Sequence, residues 1–277
     1  MANPKLTFRL GDKEINRLGY GGMQLTGPGV FGPVEDRENA KRLLQTAVKA
    51  GVNFIDTAHA YGPGFNESLI AEALNPYGDV MIATKGGFDR PGPGNWVPNG
   101  SPEKIRTDIE ESLKLLNVET IDLWQLHRID PRIPVEKTLA PVIEAVEAGK
   151  IKHVGLSEVT VEQIKQVRRI LPIVSVQNLY NLSERSWEDV LDYTTQVGLA
   201  FIPWYPLASG PEKMSHKINE IAKTHQATTS QIALAWLLKR ANNILLIPGT
   251  KSIEHLLENL KASAIELSDK EFETLSN

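Results

Sequence analysis

Three times in this chain a helical run closes on a glycine and a β-type run follows at once: KAGVNFID at 49–56, EAGKIKHVG at 147–155 and QVGLAFIP at 196–203. Gly51, Gly149 and Gly198 suit the left-handed position just past a helix C-terminus, where a Cβ is strained. The recurrence predicts a repeated βα unit. Helix faces support it: Ile105, Ile109, Leu113 and Leu116 fall at i, i+4, i+8 and i+11, and Val161, Ile164, Val167 and Ile170 recur every third residue. Between such runs lie short apolar stretches at 80–83, 121–126, 173–176, 199–202 and 244–247. They are rich in Val, Ile and Leu, as strands covered on both faces are.

Eight such units in this chain average about 34 residues each, the size of a (β/α)8 TIM barrel. The expected architecture is therefore one α/β barrel domain over 1–277. A short N-terminal β-hairpin, 6–10 and 14–16 around Gly11-Asp12-Lys13, is placed to plug its bottom, and extra C-terminal helices follow the last strand. A doubly wound open sheet is the alternative. Against it, no G-x-G-x-x-G joins an early strand to a helix. The glycines of LGYGGMQL (18–25) have no helix after them and read as a strand-end turn. The Pro/Gly-rich segment 90–101 reads as a surface loop.

Composition excludes several function classes. Cysteine is absent, which removes disulfides, iron–sulfur clusters, thiolate zinc sites and a cysteine nucleophile. Thirty Lys and Arg against 34 Asp and Glu give a net charge of −4, which argues against a nucleic-acid partner. No apolar stretch reaches the roughly 18–20 residues of a membrane span, and the N-terminus lacks an apolar signal core. These features predict a cytoplasmic protein acting on a small molecule, with no obligate protein partner evident.

The polar residues that end the strands are more informative. Asp56, Lys85, His127, Ser157, Gln177 with Asn178, Trp204 with Tyr205, and 249–252 each follow an apolar run. In a parallel barrel all these ends share one face, and that face carries the chemistry. Asp56 and Lys85 end consecutive strands, so the carboxylate is placed to pair with the lysine. Five residues beyond Asp56, the loop DTAHAYG can bring Tyr61 over Lys85. An ammonium about 4 Å from a phenol oxygen stabilises phenolate, so the expectation is a tyrosine pKa lowered toward neutrality and a useful proton donor. His127, ending LWQLH, is placed to orient a carbonyl oxygen. His59 lies in the same loop as Tyr61 and is a weaker candidate for the substrate pocket, as is Trp96. His153, His216 and His225 have no such placement. No metal site is expected: H-E-x-x-H is absent. GLSEV at 155–159 lacks the second glycine of a hydrolase nucleophile elbow. In IPGTKSIEHLLEN (247–259) a glycine-containing turn enters a helix N-capped by Ser252, a place where backbone N–H groups hold phosphate.

Taken together, GYGGMQL, GVNFIDTAHAYG, ATKGG, LWQLH, GKIKHVGLSE, SVQNLYN, WYPLASG and IPGTKSIEHLLEN resemble the aldo-keto reductase family, in its order and over nearly the whole chain. The resemblance implies a barrel that binds NADPH extended, and a tetrad of Asp56, Tyr61, Lys85 and His127. It implies a cofactor site running over Gly22, Met23, Ser157, Gln177, Trp204, Pro206, Leu207, Gly249, Thr250, Lys251, Ser252, His255, Glu258 and Asn259. Ser157 and Gln177 would bind the carboxamide, Trp204 would stack on the nicotinamide, and Glu158 replaces a usual carboxamide contact. His255 stands where many members grip the 2′-phosphate with Arg, while Lys251 and Ser252 keep NADP preferred over NAD. The stretches NRLGYGGMQLTGPGVFGPVEDR, VQNLYN and ILLIPGTKSIEHL are similar to bacterial pyridoxal reductases. That implies reduction of pyridoxal to pyridoxine, with general aldehyde reduction as the wider alternative. Two other classes stay open: a Schiff-base lyase using Lys85, and a nicotinamide-cofactor sensor without turnover.

Overall fold

The structure is a computed structural model describing residues 6–207 and 216–277, without the side chain of His216. The last three residues of WYPLASG, 208–210, lie outside it, as does any role for the His216 ring. In chain order the elements begin with β1 (Thr7–Leu10), β2 (Lys13–Asn16), β3 (Tyr20–Gly21), α1 (Arg37–Lys49), β4 (Phe54–Asp56), α2 (Phe65–Leu74) and β5 (Met81–Gly86). Next come β6 (Phe88–Gly92), β7 (Asn95–Pro98), α3 (Pro102–Leu116), β8 (Ile121–Leu126), α4 (Val135–Glu147), β9 (Ile151–Ser157), α5 (Val161–Val167) and β10 (Ser175–Gln177). The chain finishes with α6 (Glu188–Val197), β11 (Ala200–Phe201), α7 (His216–Thr224), α8 (Thr229–Arg240), α9 (Ile253–Leu260) and α10 (Asp269–Ser276).

Seven strands form one parallel sheet in the order β11-β10-β9-β8-β5-β4-β3. Segment 244–247 closes it. Ile244 bridges Phe201 on one side and Leu246 bridges Leu18 on the other, both in parallel sense. Leu245 N–H donates to the Phe201 carbonyl at 2.9 Å and Gly19 N–H to the Leu246 carbonyl at 2.8 Å. The sheet is thus an eight-membered barrel, as the βα repeat predicts. Gly51, Gly149 and Gly198 have φ of 99°, 73° and 73°, the left-handed turn from helix into strand.

Inward side chains of the barrel strands, Phe54, Met81, Ala83, Leu123, Ala200, Ile202 and Leu245, pack as one buried cluster. Leu10 and Ile15 of the β1–β2 hairpin belong to the same cluster, and both are fully buried. The hairpin therefore plugs the barrel floor. Outside, Ile105, Ile109, Leu113 and Leu116 of α3 turn one buried face to the sheet.

Two details differ from the sequence-based expectation. Segment 90–101 is largely the outer part of an antiparallel hairpin, β6–β7, with Phe88 opposite Pro98 and Asp89 opposite Val97, rather than an irregular loop. Its Pro-Gly-Pro-Gly run supplies the turn, where Gly94 has φ 68°. Helix α5 stops at Val167, so Ile170 lies in the turn beyond; Pro172 disfavours helix in the residue before it. After the closing segment 244–247 come α9, a 3-10 turn and α10, the extra C-terminal helices expected. Among the described residues no helix is long and apolar enough to cross a membrane.

Barrel closure depends on Arg17, which is buried to 2% exposure. Its Nε donates to the Ile244 carbonyl at 2.9 Å and its Nη2 to the carbonyls of Leu238 (2.9 Å) and Ala241. Leu238 and Ala241 carry carbonyls at the end of α8 that have no partner further along the helix. One guanidinium thus caps α8 and holds the closing segment beside β3. Arg17→Leu leaves three buried carbonyls short of donors and is expected to lower unfolding stability by about 3 kcal/mol or more. Urea denaturation measures this; an unchanged midpoint would remove Arg17 from barrel closure.

Candidate active site

The parallel strands deliver their C-terminal ends to one face, and a cavity of about 480 Å³ opens there. Asp56 from β4, Ser157 from β9 and Gln177 from β10 line it, with His127 just past β8 and Tyr61 from the loop after β4. Lys85, near the end of β5, lies fully buried beneath Tyr61.

Lys85 organises the site. Its Nζ donates to Asp56 Oδ1 at 2.5 Å, to the Thr57 carbonyl at 2.7 Å and to Tyr61 Oη at 3.4 Å. Three ammonium hydrogens thus meet three acceptors. The second carboxylate oxygen, Asp56 Oδ2, accepts from Gln125 Nε2 at 3.1 Å and Gln177 Nε2 at 2.9 Å. A carboxylate only accepts, so it fixes both amides with their NH2 groups inward. Gln177 Oε1 then has no described donor. Ser157 is the in-register neighbour of Gln177 across β9 and β10.

Burial pulls the Lys85 ammonium toward neutrality, but Asp56 and Tyr61 together outweigh it and hold its pKa above the ordinary value. Tyr61 differs from the sequence-based expectation. Burial raises its pKa above the ordinary 10, and the opposing pull of Lys85 does not reverse this. The reason is geometric: Lys85 sits closer to Asp56 than to Tyr61, so its field at the phenol is partly cancelled. Tyr61 is a protonated phenol with a cation behind it. Burial drives His127 well below its usual range, and Lys85, Arg128 and Arg90 drive it the same way, so its ring is neutral. Its Nδ1 is buried without a hydrogen-bond partner among the described residues.

The β6–β7 hairpin forms an aromatic wall. Trp96 and Phe88 meet the His127 ring edge-on, with centroids 6.1 and 4.6 Å away, and Trp96 meets Tyr61 at 6.2 Å. Arg90 lies 3.5 Å over the Trp96 ring and donates to the carbonyls of Ala60, Gly29 and Asn95. That fastens the hairpin to the loop bearing Tyr61. Opposite, Trp204 lines the cavity with its Nε1 donating to Glu158 Oε1 at 2.6 Å. The same oxygen accepts from Leu179 N–H at 2.6 Å, so Glu158 (φ 53°) sets the plane of the Trp204 ring.

The other expected site residues fall in three places. Met23, Trp96, Pro206, Leu207 and Gly249 line the cavity. Gly22 packs behind it, where a Cβ would stand 2.7 Å from Asn66 Oδ1. Thr250, Lys251, Ser252, His255, Glu258 and Asn259 lie outside the lining, on the turn and helix that follow Gly249. Ser252 N-caps α9, accepting from His255 N–H at 3.2 Å. His59 is corrected: it does not line the cavity. Its Nδ1 stands 3.2 Å from Asp108 and its Nε2 2.7 Å from Glu111, so α3 draws the ring away from the mouth. His153 and His225 face Asp12 and Glu271.

Gln125, Phe88 and Arg128 escaped the sequence reading. Gln125 stands two residues before His127, and strand alternation puts both on the inward face. That signal was available. Phe88 and Arg128 had none, because their roles depend on where the hairpin and the β8 loop turn.

The family model described as aldo/keto reductase family matches residues 17–277. An uncharacterized oxidoreductase of Schizosaccharomyces pombe is 47% identical over 270 residues, covering 97% of this chain and 88% of that protein. The pyridoxine 4-dehydrogenase of Escherichia coli is 42% identical over 276 residues, covering 97% of this chain and 96% of its own. Among solved structures, an aldo/keto reductase from Klebsiella pneumoniae in complex with NADP and acetate superposes with a TM-score of 0.80 at 26% identity, covering 98% and 94% of the two chains.

The two ring pKa directions have consequences in solution. A His pKa lowered in the folded state contributes stability above the unfolded value near 6.5 that is lost as pH falls; a raised Tyr pKa contributes stability below about 10 that is lost as pH rises. NMR of the His127 ring is therefore expected to show a neutral imidazole at pH 6.5 with no midpoint there. An ultraviolet difference titration of wild type against Tyr61→Phe is expected to show no phenol ionising below pH 10. A Tyr61 midpoint near neutrality would contradict the burial argument.

Proposed function

The chain belongs to the aldo/keto reductase family, and from that premise we propose that it reduces an aldehyde or ketone to an alcohol with NADPH. The observation that carries the reading is the pairing of Tyr61 Oη with a buried, charged Lys85 beside a neutral His127, all at one cavity.

The residues fit a nicotinamide. Its carboxamide needs one donor for its oxygen and one acceptor for its NH2. Ser157 keeps its hydroxyl proton, since its Oγ accepts from Arg128, and Gln177 keeps a free Oε1 in the adjacent register position. Trp204, held by Glu158, supplies an aromatic face. Lys251 is exposed and in no ion pair among the described residues, and with Ser252 it favours the extra phosphate of NADPH over NADH. When bound, the reduced nicotinamide supplies hydride to the carbonyl carbon.

The protein's own groups manage the oxygen. The phenol of Tyr61 holds the proton that the developing alkoxide takes. Lys85 places positive charge behind that phenol as it gives the proton up, and a fixed charge aimed at developing negative charge lowers a barrier without reorganisation. Asp56 fixes Lys85, and Gln125 and Gln177 fix Asp56. The neutral His127 ring retains an N–H that can orient the carbonyl oxygen. The same pair disfavours a Schiff-base lyase, because that chemistry needs a neutral lysine and Asp56 keeps Lys85 charged.

For the substrate, the 42% identity to a pyridoxine 4-dehydrogenase supports pyridoxal, reduced to pyridoxine, within a wider capacity for aldehydes. The test is NADPH absorbance with pyridoxal and with a simple aromatic aldehyde, with NADH in parallel. Faster loss of NADPH with pyridoxal supports the narrow substrate; loss with the simple aldehyde alone discards it and keeps the reductase. Tyr61→Phe is expected to reduce kcat by at least the roughly 10²–10⁴-fold of a general acid, with NADPH affinity within about twofold of wild type. Near-normal turnover in that variant would remove Tyr61 from the proton transfer.

A further inference from the structure

Most cations around the cavity are accounted for. Lys85 is matched by Asp56, Lys104 by Asp108, and Arg132 by Asp130, while Arg90 directs its donors at three backbone carbonyls. Arg128 is different. It follows His127 past the end of β8, is half-buried and lines the cavity. Its Nη1 donates to the His127 carbonyl at 2.6 Å and to Ser157 Oγ at 3.0 Å, which anchors the guanidinium plane. Its Nε and Nη2 donate to no described group, and no described carboxylate is in ion-pair contact with it. Glu158 is close enough for its field to be felt, but Trp204 and Leu179 hold its Oε1.

A guanidinium partly withdrawn from water, 5.8 Å from the Phe88 ring, bears a desolvation cost that the field of Glu158 offsets only in part and that no described carboxylate meets in contact. The Nε–Nη2 edge is the side-on fork that matches the two oxygens of a carboxylate. The site lies beside the groups assigned to the carbonyl: Arg128 shares a backbone junction with His127, and its charge is felt at Tyr61.

We infer that Arg128 is a specificity-determining residue that binds an anionic group on the substrate, so that carbonyl compounds bearing a carboxylate are preferred over neutral ones of the same shape. The inference rests on the carbonyl-reductase reading and is independent of pyridoxal. A cofactor contact would use the same cation differently. In that case the loss of Arg128 would weaken NADPH binding and leave substrate preference alone.

Two measurements separate these outcomes. The first is calorimetric binding of benzoate against benzamide, with NADP⁺ present, which needs no turnover. The second is kcat/KM for 4-carboxybenzaldehyde against 4-methylbenzaldehyde. Wild type is expected to favour the carboxylate by about tenfold or more in both, and Arg128→Gln to bring each pair within about twofold. Arg128→Lys, which keeps the charge and loses the fork, is expected to fall between and carries the test if Arg128→Gln does not fold. Equal binding of benzoate and benzamide by wild type overturns the inference. So does a preference that survives in Arg128→Gln, or a tenfold weaker NADPH affinity there with the preference intact. Reduction of both aldehydes at equal kcat/KM removes the anion subsite and keeps the reductase. A benzoate preference lost in Arg128→Gln, with neither aldehyde reduced, supports the anion subsite and removes the reductase.

Discussion

The buried ion pair of Lys85 and Asp56 is the constraint on which the site depends. Two charges on adjacent parallel strands are taken out of water at 2.5 Å, with side-chain exposures of 0% and 3%. Removing one partner of such a pair typically costs about 3–5 kcal/mol, because the other is left uncompensated. The surroundings complete it: the Thr57 carbonyl and Tyr61 take the remaining ammonium hydrogens, and Gln125 and Gln177 cover the outer carboxylate oxygen. The same contacts that satisfy the pair orient the chemistry. Lys85 stays charged, Tyr61 lies against it, and Gln177, in register with Ser157, keeps an oxygen with no described donor. Stability and positioning come from one network, carried by strand ends whose register the closed barrel sets.

Closure matters for that reason. A parallel sheet with both edges paired cannot slip in register, and β4, β5, β8, β9 and β10 each deliver one or two polar residues to the mouth. Arg17 ties the end of α8 and the closing segment to the start of the sheet, and the N-terminal hairpin fills the floor with Leu10 and Ile15. The chemistry of the mouth thus rests on a filled interior. Above it, the β6–β7 hairpin is joined to the Tyr61 loop by Arg90, so the aromatic wall and the proton-bearing residue form one unit.

Much of this was legible in the residues. Helix–Gly–strand punctuation identified the barrel unit, because a left-handed φ after a helix is a local requirement that the sequence must meet with glycine. Polar residues at strand ends identified Asp56, Lys85 and His127 as neighbours, because parallel topology alone brings them together. What stayed hidden depended on loop paths. His59 shares a loop with Tyr61, yet Asp108 and Glu111 on α3 draw it outward, a contact between segments about 50 residues apart. The direction of the Tyr61 shift was misjudged for a related reason: proximity to Lys85 was readable, but burial and the competing hold of Asp56 on that charge were not. Segment 90–101 looked irregular because its Pro-Gly run gives no alternation, although that run is the turn of a hairpin.

The central claim is that a charged Lys85 stands behind Tyr61 while hydride reaches a carbonyl carbon at this cavity. The most direct measurement uses NADPH carrying deuterium at both nicotinamide C4 positions and an aromatic aldehyde, reading the alcohol by mass from one unquenched portion and the intact protein by mass from a second portion quenched with borohydride. The account predicts one deuterium on the carbinol carbon and an unmodified Lys85. An alcohol without deuterium, or a substrate adduct trapped on Lys85, would contradict it.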